Sequence, residues 1–249
     1  MAKTGSKKRK ITICIVSIVA VIALLFGACA VYLGDYYHAI TPAGESFGLR
    51  DGSSLPETIK LDNGNIVCKS ENATKGLIFY PGGKVEYTAY LPLMESLAQK
   101  GILCVLVRMP FNLAVFDVNA ADGIREMFPE ITDWYIGGHS LGGSMAAAYL
   151  EKHPSDFKGL LLLAAYSTAD LSSENIRTLS IYGSNDGVLN REKYEQYRSN
   201  LPELTEYIID GGCHAYFGVY GSQDGDGTPT IDNARQINLT ADAVAKWVG

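Results

Sequence analysis

The chain has 249 residues, 47% of them hydrophobic, and a formal net charge of −6 at pH 7. Beyond the five basic residues at its start, 16 Lys and Arg stand against 27 Asp and Glu, and this charge of −11 argues against nucleic acid as a partner. Three of the five cysteines, Cys68, Cys104 and Cys213, lie in the acidic part, and an odd number cannot all pair internally, which excludes a disulfide scaffold.

The N-terminus combines a basic start with a long apolar run. Five Lys and Arg within residues 1–10 precede residues 11–33, an uncharged stretch of 23 residues that is long enough to span a bilayer. Since no further Lys or Arg occurs before Arg50, the positive-inside rule places residues 1–10 in the cytoplasm and the bulk of the chain outside. We therefore expect a single-pass protein of the cell membrane, with residues 11–33 as a transmembrane signal anchor.

Cleavage of this segment is the alternative. Ala28-Cys29-Ala30 is typical of a signal-peptidase site, although the apolar run exceeds the roughly 7 to 15 residues of an ordinary signal peptide. Cleavage would give a secreted protein. Residues 34–55 are rich in Gly, Ser and Pro and are predicted to be a juxtamembrane linker. Residues 56–249 are then expected to form one domain with a substantial core.

Six short and almost wholly apolar runs follow a predicted hairpin. The hairpin is centred on Asn63-Gly64, a dipeptide suited to the positive φ angles of a tight turn. Strands that are covered on both faces have the composition of the runs that follow. These runs are residues 76–80, 101–107, 134–138, 159–166, 178–183 and 205–210.

Segments with helical spacing alternate with these runs. They are residues 87–100, 118–128, 142–152, 191–200 and 233–248. The alternation predicts an α/β fold, with a mostly parallel twisted sheet, right-handed crossovers and helices on both faces. Only 11 residues separate Tyr166 from Thr178, too few for a large cap domain, so we expect a fairly open pocket.

A serine stands between two pairs of glycines where one run meets a helix, in "DWYIGGHSLGGSMAAAYLEKHP", residues 133–154. A turn from strand to helix within about one residue forces the residue at its apex into a rare backbone conformation. Gly138 and Gly142, two residues before and after Ser140, fit where a Cβ would collide. Because Ser140 is thereby lifted clear of the sheet at a helix N-terminus, it is predicted to be a nucleophile.

An acid and a histidine follow two later runs. Asp186 lies in "SNDGV" and His214 in "GGCHAYFG", each just beyond a predicted strand. The carboxyl ends of parallel strands share one edge of the sheet, where ligands gather, and the chain order is serine, acid, histidine. Histidine can take the serine proton while the carboxylate orients the imidazole. Asp210 is the competing acid, but it lies only four residues before His214 on the same strand end.

Other candidates fit catalysis poorly. His38 lies in the linker, His139 adjoins the serine and His153 ends a helix, so none of them is assigned a catalytic role. Cys213 as a thiol nucleophile is disfavoured because neighbouring side chains on an extended segment diverge, and His214 is its neighbour. Residues 224–232, "DGDGTPTID", lack the spaced acceptors and closing glutamate of a calcium loop, so a solvated loop is expected.

Attack on a carbonyl creates an oxyanion that needs fixed N–H donors, each worth about 3 to 4 kcal/mol of barrier in serine hydrolases. The backbone N–H of Leu141, directly after the nucleophile, is one expected donor. The second is expected in "YPGGKV", which follows the first parallel run. Gly83 is the predicted second donor, and Lys84 is the alternative if the loop is shifted by one residue.

Four segments resemble the alpha/beta-hydrolase family, in the branch related to dienelactone hydrolase: "GLIFYPGGKV", "GGHSLGG", "YGSNDGV" and "GGCHAYFGVYG". The resemblance covers residues 60–249. It implies a Ser-His-acid triad, no metal or organic cofactor, and hydrolysis of esters, lactones, thioesters or related acyl compounds. The family's usual His-Gly oxyanion motif is replaced here by Pro81-Gly82.

Three functions are consistent with this pattern. The first is a membrane-anchored serine hydrolase that acts on a small-molecule acyl substrate through a covalent acyl-enzyme. The second is a catalytically silent binding protein with the same fold, and the third is an acyltransferase that uses the same triad. Side chains expected near the substrate are Tyr87, Tyr166, Tyr216 and Phe217, with packing as their alternative role, and Lys84 and Arg108 as partners for an anionic group.

Overall fold

The computed structural model describes residues 3–40, 56–69 and 72–249 and divides into two compact units, Met1–Tyr36 and Tyr37–Gly249. The first unit is the helix α1 (Lys3–Gly34). Its segment Ile15–Gly34 is long and apolar enough to cross a membrane, a property that signal sequences share.

The second unit begins within the predicted linker. Tyr37 forms a bridge with Val85, its N–H donates to the carbonyl of Lys84 at 2.7 Å, and its own carbonyl accepts from Glu86 N–H at 2.8 Å. The second unit therefore begins upstream of residue 56, the predicted start of the domain. The reason is that the short segment after α1 pairs with the loop of the second unit that contains Val85. The rest of the predicted linker, residues 41–55, lies outside the described residues.

One eight-stranded sheet forms the centre of the second unit. Its order is β1-β2-β4-β3-β5-β6-β7-β8, with β3 to β8 parallel and β1 and β2 antiparallel. This confirms the predicted fold class. The strands are β1 (Glu57–Lys60), β2 (Ile66–Lys69), β3 (Lys75–Tyr80), β4 (Ile102–Leu106), β5 (Asp133–His139), β6 (Gly159–Leu163), β7 (Arg177–Gly183) and β8 (Leu204–Ile209).

The predicted hairpin joins β1 and β2. Leu61 N–H donates to the carbonyl of Asn65 at 2.8 Å, and Gly64 N–H donates back to the carbonyl of Leu61 at 2.8 Å. Gly64 has a φ of +87°, a conformation that glycine adopts without steric cost. The dipeptide Asn63-Gly64 is thus placed as a turn, as the sequence predicts.

Helices cover both faces of the sheet. α2 and α5 pack together on one face, while α3 and α4 lie on the other. Along β3 the side chains alternate, since Leu77 and Phe79 join the core beside α2 and α5 whereas Ile78 and Tyr80 face the opposite core. The four helices are α2 (Leu91–Ala98), α3 (Leu141–Leu150), α4 (Arg191–Tyr197) and α5 (Asn233–Val248).

The prediction of a helix over residues 118–128 is wrong. The segment consists of turns with one short 3-10 helix, Arg125–Met127. Gly123 has a φ of +74°, which a right-handed helix cannot include. The Tyr80 hydroxyl donates to a backbone carbonyl of this segment at 2.8 Å and accepts the N–H of Ala121 at 2.9 Å. A core side chain therefore satisfies backbone groups that a helix would have paired.

The connection between β6 and β7 contains no large cap. Between β6 and β7, in the continuously described residues 72–249, the chain from residue 164 to residue 176 contains neither helix nor strand. The prediction that no large cap domain is inserted between these two strands is confirmed.

Candidate active site

The chain reverses direction along the sheet at β3. From β3 it crosses to β4 on one side and then returns to β5 on the other side. The carboxyl ends of β3 and β5 lie next to each other, with Tyr80 opposite Gly138. In open α/β sheets such a switch point forms a crevice for ligands. The glycine loop after β3 and the serine after β5 both follow strands at this switch point.

Ser140 adopts the conformation that the sharp turn requires. Its φ of +51° and ψ of −123° lie outside the regions that non-glycine residues ordinarily occupy. The residue is the N-cap of α3, its own N–H donates to the carbonyl of Leu163 at 2.9 Å, and its side chain is half-buried. Strain of this kind costs on the order of 1–3 kcal/mol and is concentrated at functional sites.

Two glycines make the turn possible. A Cβ on Gly138 would overlap the carbonyl oxygen of Tyr80, and a Cβ on Gly142 would overlap the carbonyl oxygens of Pro81 and Tyr80. The end of β5 and the start of α3 therefore pack directly against the backbone that follows β3. No residue with a side chain fits at either position without moving that backbone.

The acid and the histidine are hydrogen-bonded to each other. His214 Nδ1 lies 3.0 Å from Asp186 Oδ2 and 3.2 Å from Oδ1, and both side chains are buried. Asp186 Oδ1 also accepts the N–H groups of Val188 and Leu189 at 2.9 and 2.8 Å. With the carboxylate held in this way, His214 donates from Nδ1 and keeps Nε2 as an acceptor.

His139, the residue before Ser140, is in contact with His214. The ring of His139 packs against that of His214 with centroids 4.5 Å apart. Within the described residues, His214 Nε2 is buried and has no hydrogen-bond partner, so no bond joins it to Ser140 Oγ. Serine–histidine bonds of this type are often long without substrate and tighten in the reacting complex.

Two backbone N–H groups are open beside the serine. Among the described residues, neither Gly83 N–H nor Leu141 N–H has an acceptor. A Cβ on Gly83 would lie 2.8 Å from Leu141 Cδ2, so the two residues are in close contact. The first N–H groups of a helix have no intrahelical partner, and this explains why the N–H of Leu141, the first residue of α3, has no acceptor.

The neighbours of Gly83 have their N–H groups engaged. Lys84 N–H donates to the carbonyl of Asn112 at 2.8 Å, and Gly82 N–H donates to the Tyr90 hydroxyl at 3.1 Å. Of these three consecutive N–H groups, only that of Gly83 is left for a ligand in the described structure. Lys84, the alternative donor, is therefore occupied.

Two of the side chains expected to contact substrate belong to the core. Tyr87 is buried and its hydroxyl donates to the carbonyl of Gly64 at 3.0 Å. Phe217 is fully buried and packs with its ring 5.5 Å from that of His139. Both residues therefore have the packing role that the sequence left open.

The other expected contacts are half-buried. Tyr166 stacks on Tyr197 at 5.9 Å, and Tyr216 packs at the edge of the core beside α5, where its carbonyl accepts from Asn233. Lys84 is also half-buried, with a φ of +58°. Nothing in these contacts selects one of the three as a substrate ligand.

Neither the alternative acid, Asp210, nor the alternative nucleophile, Cys213, has the surroundings that its catalytic role would require. Asp210 is exposed, and its carboxyl meets the Ser184 hydroxyl at 3.4 Å, whereas the contact to His214 is made by Asp186. Burial raises the pKa of the Cys213 thiol to about 12, so the thiolate that a nucleophile requires is not formed at neutral pH.

Sequence reasoning missed a third carboxylate, Asp226. It accepts the N–H of Ala215 at 2.9 Å, of His214 at 3.1 Å and of Gly187 at 3.2 Å. Burial raises the pKa of Asp226, but these backbone hydrogen bonds outweigh it and lower the pKa below its usual value of 3.8. Asp226 thus joins the turn that carries Asp186 to the turn that carries His214. No spacing signals this, because Asp226 belongs to the segment predicted as a solvated loop.

Residues 76–238 match the Alpha/beta hydrolase family, and the chain belongs to that family. Among curated proteins, it is 26% identical over 125 residues to a proline iminopeptidase from Thermoplasma volcanium, which covers 45% of this chain and 42% of that protein. The chain therefore spans less than half the length of this relative.

Solved structures share the fold at low sequence identity. Carboxyl esterase 2 from Tuber melanosporum is 12% identical, with a TM-score of 0.58 over 85% of this chain and 91% of that chain. A dienelactone hydrolase from Anabaena variabilis is 15% identical, with a TM-score of 0.56 over 78% and 97% of the two chains. At these identities the likeness concerns the fold alone.

Proposed function

We propose that the protein is a serine hydrolase that cleaves a carboxylic ester, lactone or related acyl bond through a covalent acyl-enzyme. The observation that carries this proposal is the hydrogen bond between Asp186 and His214. The Nε2 atom of the same imidazole has no partner in the described structure. The imidazole ring also packs on His139, the residue before the strained Ser140. The esterases and the dienelactone hydrolase with the same fold support this class of reaction.

In the proposed reaction, Ser140 Oγ attacks the substrate carbonyl while His214 Nε2 takes the hydroxyl proton. Asp186 holds the imidazole in the tautomer that has Nε2 free and stabilises the imidazolium that forms. The oxyanion of the tetrahedral intermediate accepts the N–H groups of Gly83 and Leu141. His214 then returns the proton to the leaving alcohol, and a water molecule repeats the sequence to release the acid.

One relative favours a second candidate substrate. The protein from Thermoplasma volcanium is named a proline iminopeptidase, and the same machinery can cleave an amide bond. An N-terminal prolyl arylamide is therefore assayed beside p-nitrophenyl esters of increasing chain length. Turnover of the esters alone supports the first candidate, and turnover of the prolyl amide alone replaces it by the second.

A fluorophosphonate probe tests the proposed nucleophile. The full-length chain should be labelled, and Ser140→Ala should not be labelled at all. We expect Asp186→Asn and His214→Ala to react about 10³- to 10⁴-fold more slowly, since the serine loses its base or its correct tautomer. Cys213→Ser is the matched control and should react like the unmodified chain. Equal labelling of Ser140→Ala would overturn the proposal.

We further propose that α1 remains in the membrane and holds the hydrolase domain outside the cytoplasm. The five basic residues before the apolar segment and the absence of Lys or Arg from residue 11 to residue 49 support this orientation. Protease added to intact cells should then digest the domain, and washing with carbonate should leave the chain in the membrane fraction. Complete protection contradicts the orientation, and release into the medium indicates cleavage.

A further inference from the structure

A buried tyrosine connects the two loops that meet at the candidate active site. The hydroxyl of Tyr90 accepts the N–H of Gly82 at 3.1 Å and lies 2.7 Å from His139 Nδ1. Tyr90 is fully buried and His139 is 1% exposed, so water does not compete for these bonds. Tyr90 ends a 3-10 helix just before α2, far along the chain from β5.

The position of the protons in this chain of hydrogen bonds depends on the tautomer of His139. The Tyr90 hydroxyl has one hydrogen, and its oxygen accepts from Gly82. In the arrangement inferred here, the hydroxyl donates to His139, so that Nδ1 is the acceptor and the ring proton is on Nε2. Burial and the nearby His214 both lower the pKa of His139 well below 6.5, in agreement with a neutral ring. Burial raises the pKa of Tyr90, so its hydroxyl keeps the proton.

Each end of this chain is one residue from a proposed catalytic group. Gly82 precedes Gly83, whose N–H is open, and His139 precedes Ser140. Two consecutive glycines have wide conformational freedom, and the peptide between Gly82 and Gly83 is itself held by a long hydrogen bond, from Val85 N–H to the Gly82 carbonyl at 3.3 Å. The peptide before it is held by Tyr90, and the peptide after it is held through Lys84 N–H.

We propose that Tyr90 is a positioning residue that fixes the direction of the Gly83 N–H relative to Ser140, with His139 as the acceptor that orients the tyrosine hydroxyl. This inference rests on the proposed hydrolase function. Tyr90 touches neither the substrate nor the reacting atoms. It acts by keeping an oxyanion donor aimed at the place where charge develops, and its effect is therefore felt in the transition state rather than in substrate binding.

The test compares two buried tyrosines in the full-length chain. Tyr90→Phe removes the hydroxyl and keeps the ring that packs 5.4 Å from Phe79. The control is Tyr194→Phe, because the hydroxyl of Tyr194 is also buried and also bonds two partners, Ser180 at 3.0 Å and Glu206 at 2.7 Å. Both variants should lose similar thermal stability.

Steady-state kinetics on a p-nitrophenyl ester distinguish the two variants. In Tyr90→Phe we expect kcat to fall about 10- to 100-fold with KM changed less than about 3-fold, since a donor used mainly in the transition state is misdirected. Tyr194→Phe should keep both constants within about 2-fold. If the two variants have the same kcat, Tyr90 is a structural residue and the inference is overturned.

A second measurement needs no variant. ¹⁵N NMR of the histidine rings of the unmodified chain should show His139 as the neutral tautomer protonated on Nε2, and a proton on Nδ1 would overturn the inference even if both variants misfold. The two proposals fail in different ways. If Ser140→Ala keeps full activity, the hydrolase proposal and the inference fall together. If Ser140→Ala is inactive while Tyr90→Phe matches its control, only the role of Tyr90 is lost.

Discussion

The turn that carries Ser140 is held by backbone packed against backbone, whereas the turns that carry Asp186 and His214 combine such packing, at Gly183 and Gly187, with hydrogen bonds to a third carboxylate. On the serine side, Gly138 and Gly142 leave no room for a single carbon atom against the chain that follows β3. On the side of Asp186 and His214, the carboxylate of Asp226 accepts hydrogen bonds from backbone N–H groups of both turns.

The two sides should therefore fail in different ways. Packing between backbones depends on shape and has no charge to titrate, so the glycines of the serine turn should be intolerant of added volume. A carboxylate that accepts several N–H groups depends on its charge, so the other side should also be sensitive to a change of charge that leaves the shape unaltered. Each substitution below alters one of these properties while keeping the other.

The largest effect is expected from Gly142→Ala. Its new methyl group would overlap the carbonyl oxygens of Pro81 and Tyr80, both of which belong to rigid backbone. We expect a loss of at least about 3 kcal/mol in the free energy of unfolding. For a chain of this size that corresponds to a fall of roughly 6–12 °C in the thermal unfolding midpoint. Differential scanning fluorimetry of the full-length chain in detergent measures it.

Gly101→Ala is the control for this comparison. Gly101 has a φ of +83° but nothing within 4 Å of its added Cβ, so alanine suffers only the backbone strain of about 1–2 kcal/mol. Gly142 has no such strain and suffers only the overlap. If Gly142→Ala is no less stable than Gly101→Ala, the serine turn is not held by steric packing.

The parts of the site that the sequence predicts are those with a local signature. The glycines around Ser140 reveal a sharp turn because they are adjacent in the chain, and Asp186 and His214 follow apolar strands. Asp226 and Tyr90 have no such signature, since what they do depends on residues tens of positions away. The failed helix over residues 118–128 has the same origin, because the Tyr80 hydroxyl satisfies its backbone from a distant strand.

A smaller effect is expected on the charged side, from Asp226→Asn. The amide keeps the shape of the carboxylate but loses the charge and one acceptor oxygen, so the N–H groups of Gly187, His214 and Ala215 can no longer all be satisfied. Because both turns then lose precision, we expect kcat for ester hydrolysis to fall about 10-fold, the cost of about one charge-assisted hydrogen bond. Steady-state kinetics and fluorophosphonate labelling rates measure this.

Asp224→Asn serves as the matched control, since Asp224 lies two residues earlier in the same exposed loop. Its kcat should equal that of the unmodified chain. The pKa of Asp226 is lowered on folding, so its stabilisation is present above the ordinary pKa of 3.8 and is lost as the pH falls through the folded pKa. Activity of Asp226→Asn equal to that of Asp224→Asn would show that the carboxylate does not hold the turns.

The smallest effect concerns the histidine that precedes Ser140, His139. Burial and His214 lower its pKa, so below pH 6.5 the unfolded chain binds a proton that the folded chain does not. The free energy of unfolding should therefore decrease as the pH falls below 6.5, by at most about 1.4 kcal/mol per pH unit from this group. Comparing urea unfolding at pH 7.5 and 5.5, His139→Gln should show a flatter dependence than the unmodified chain. His153→Gln keeps His139 and should retain the full slope, so an equal slope in both variants would mean that His139 is not held neutral by the fold.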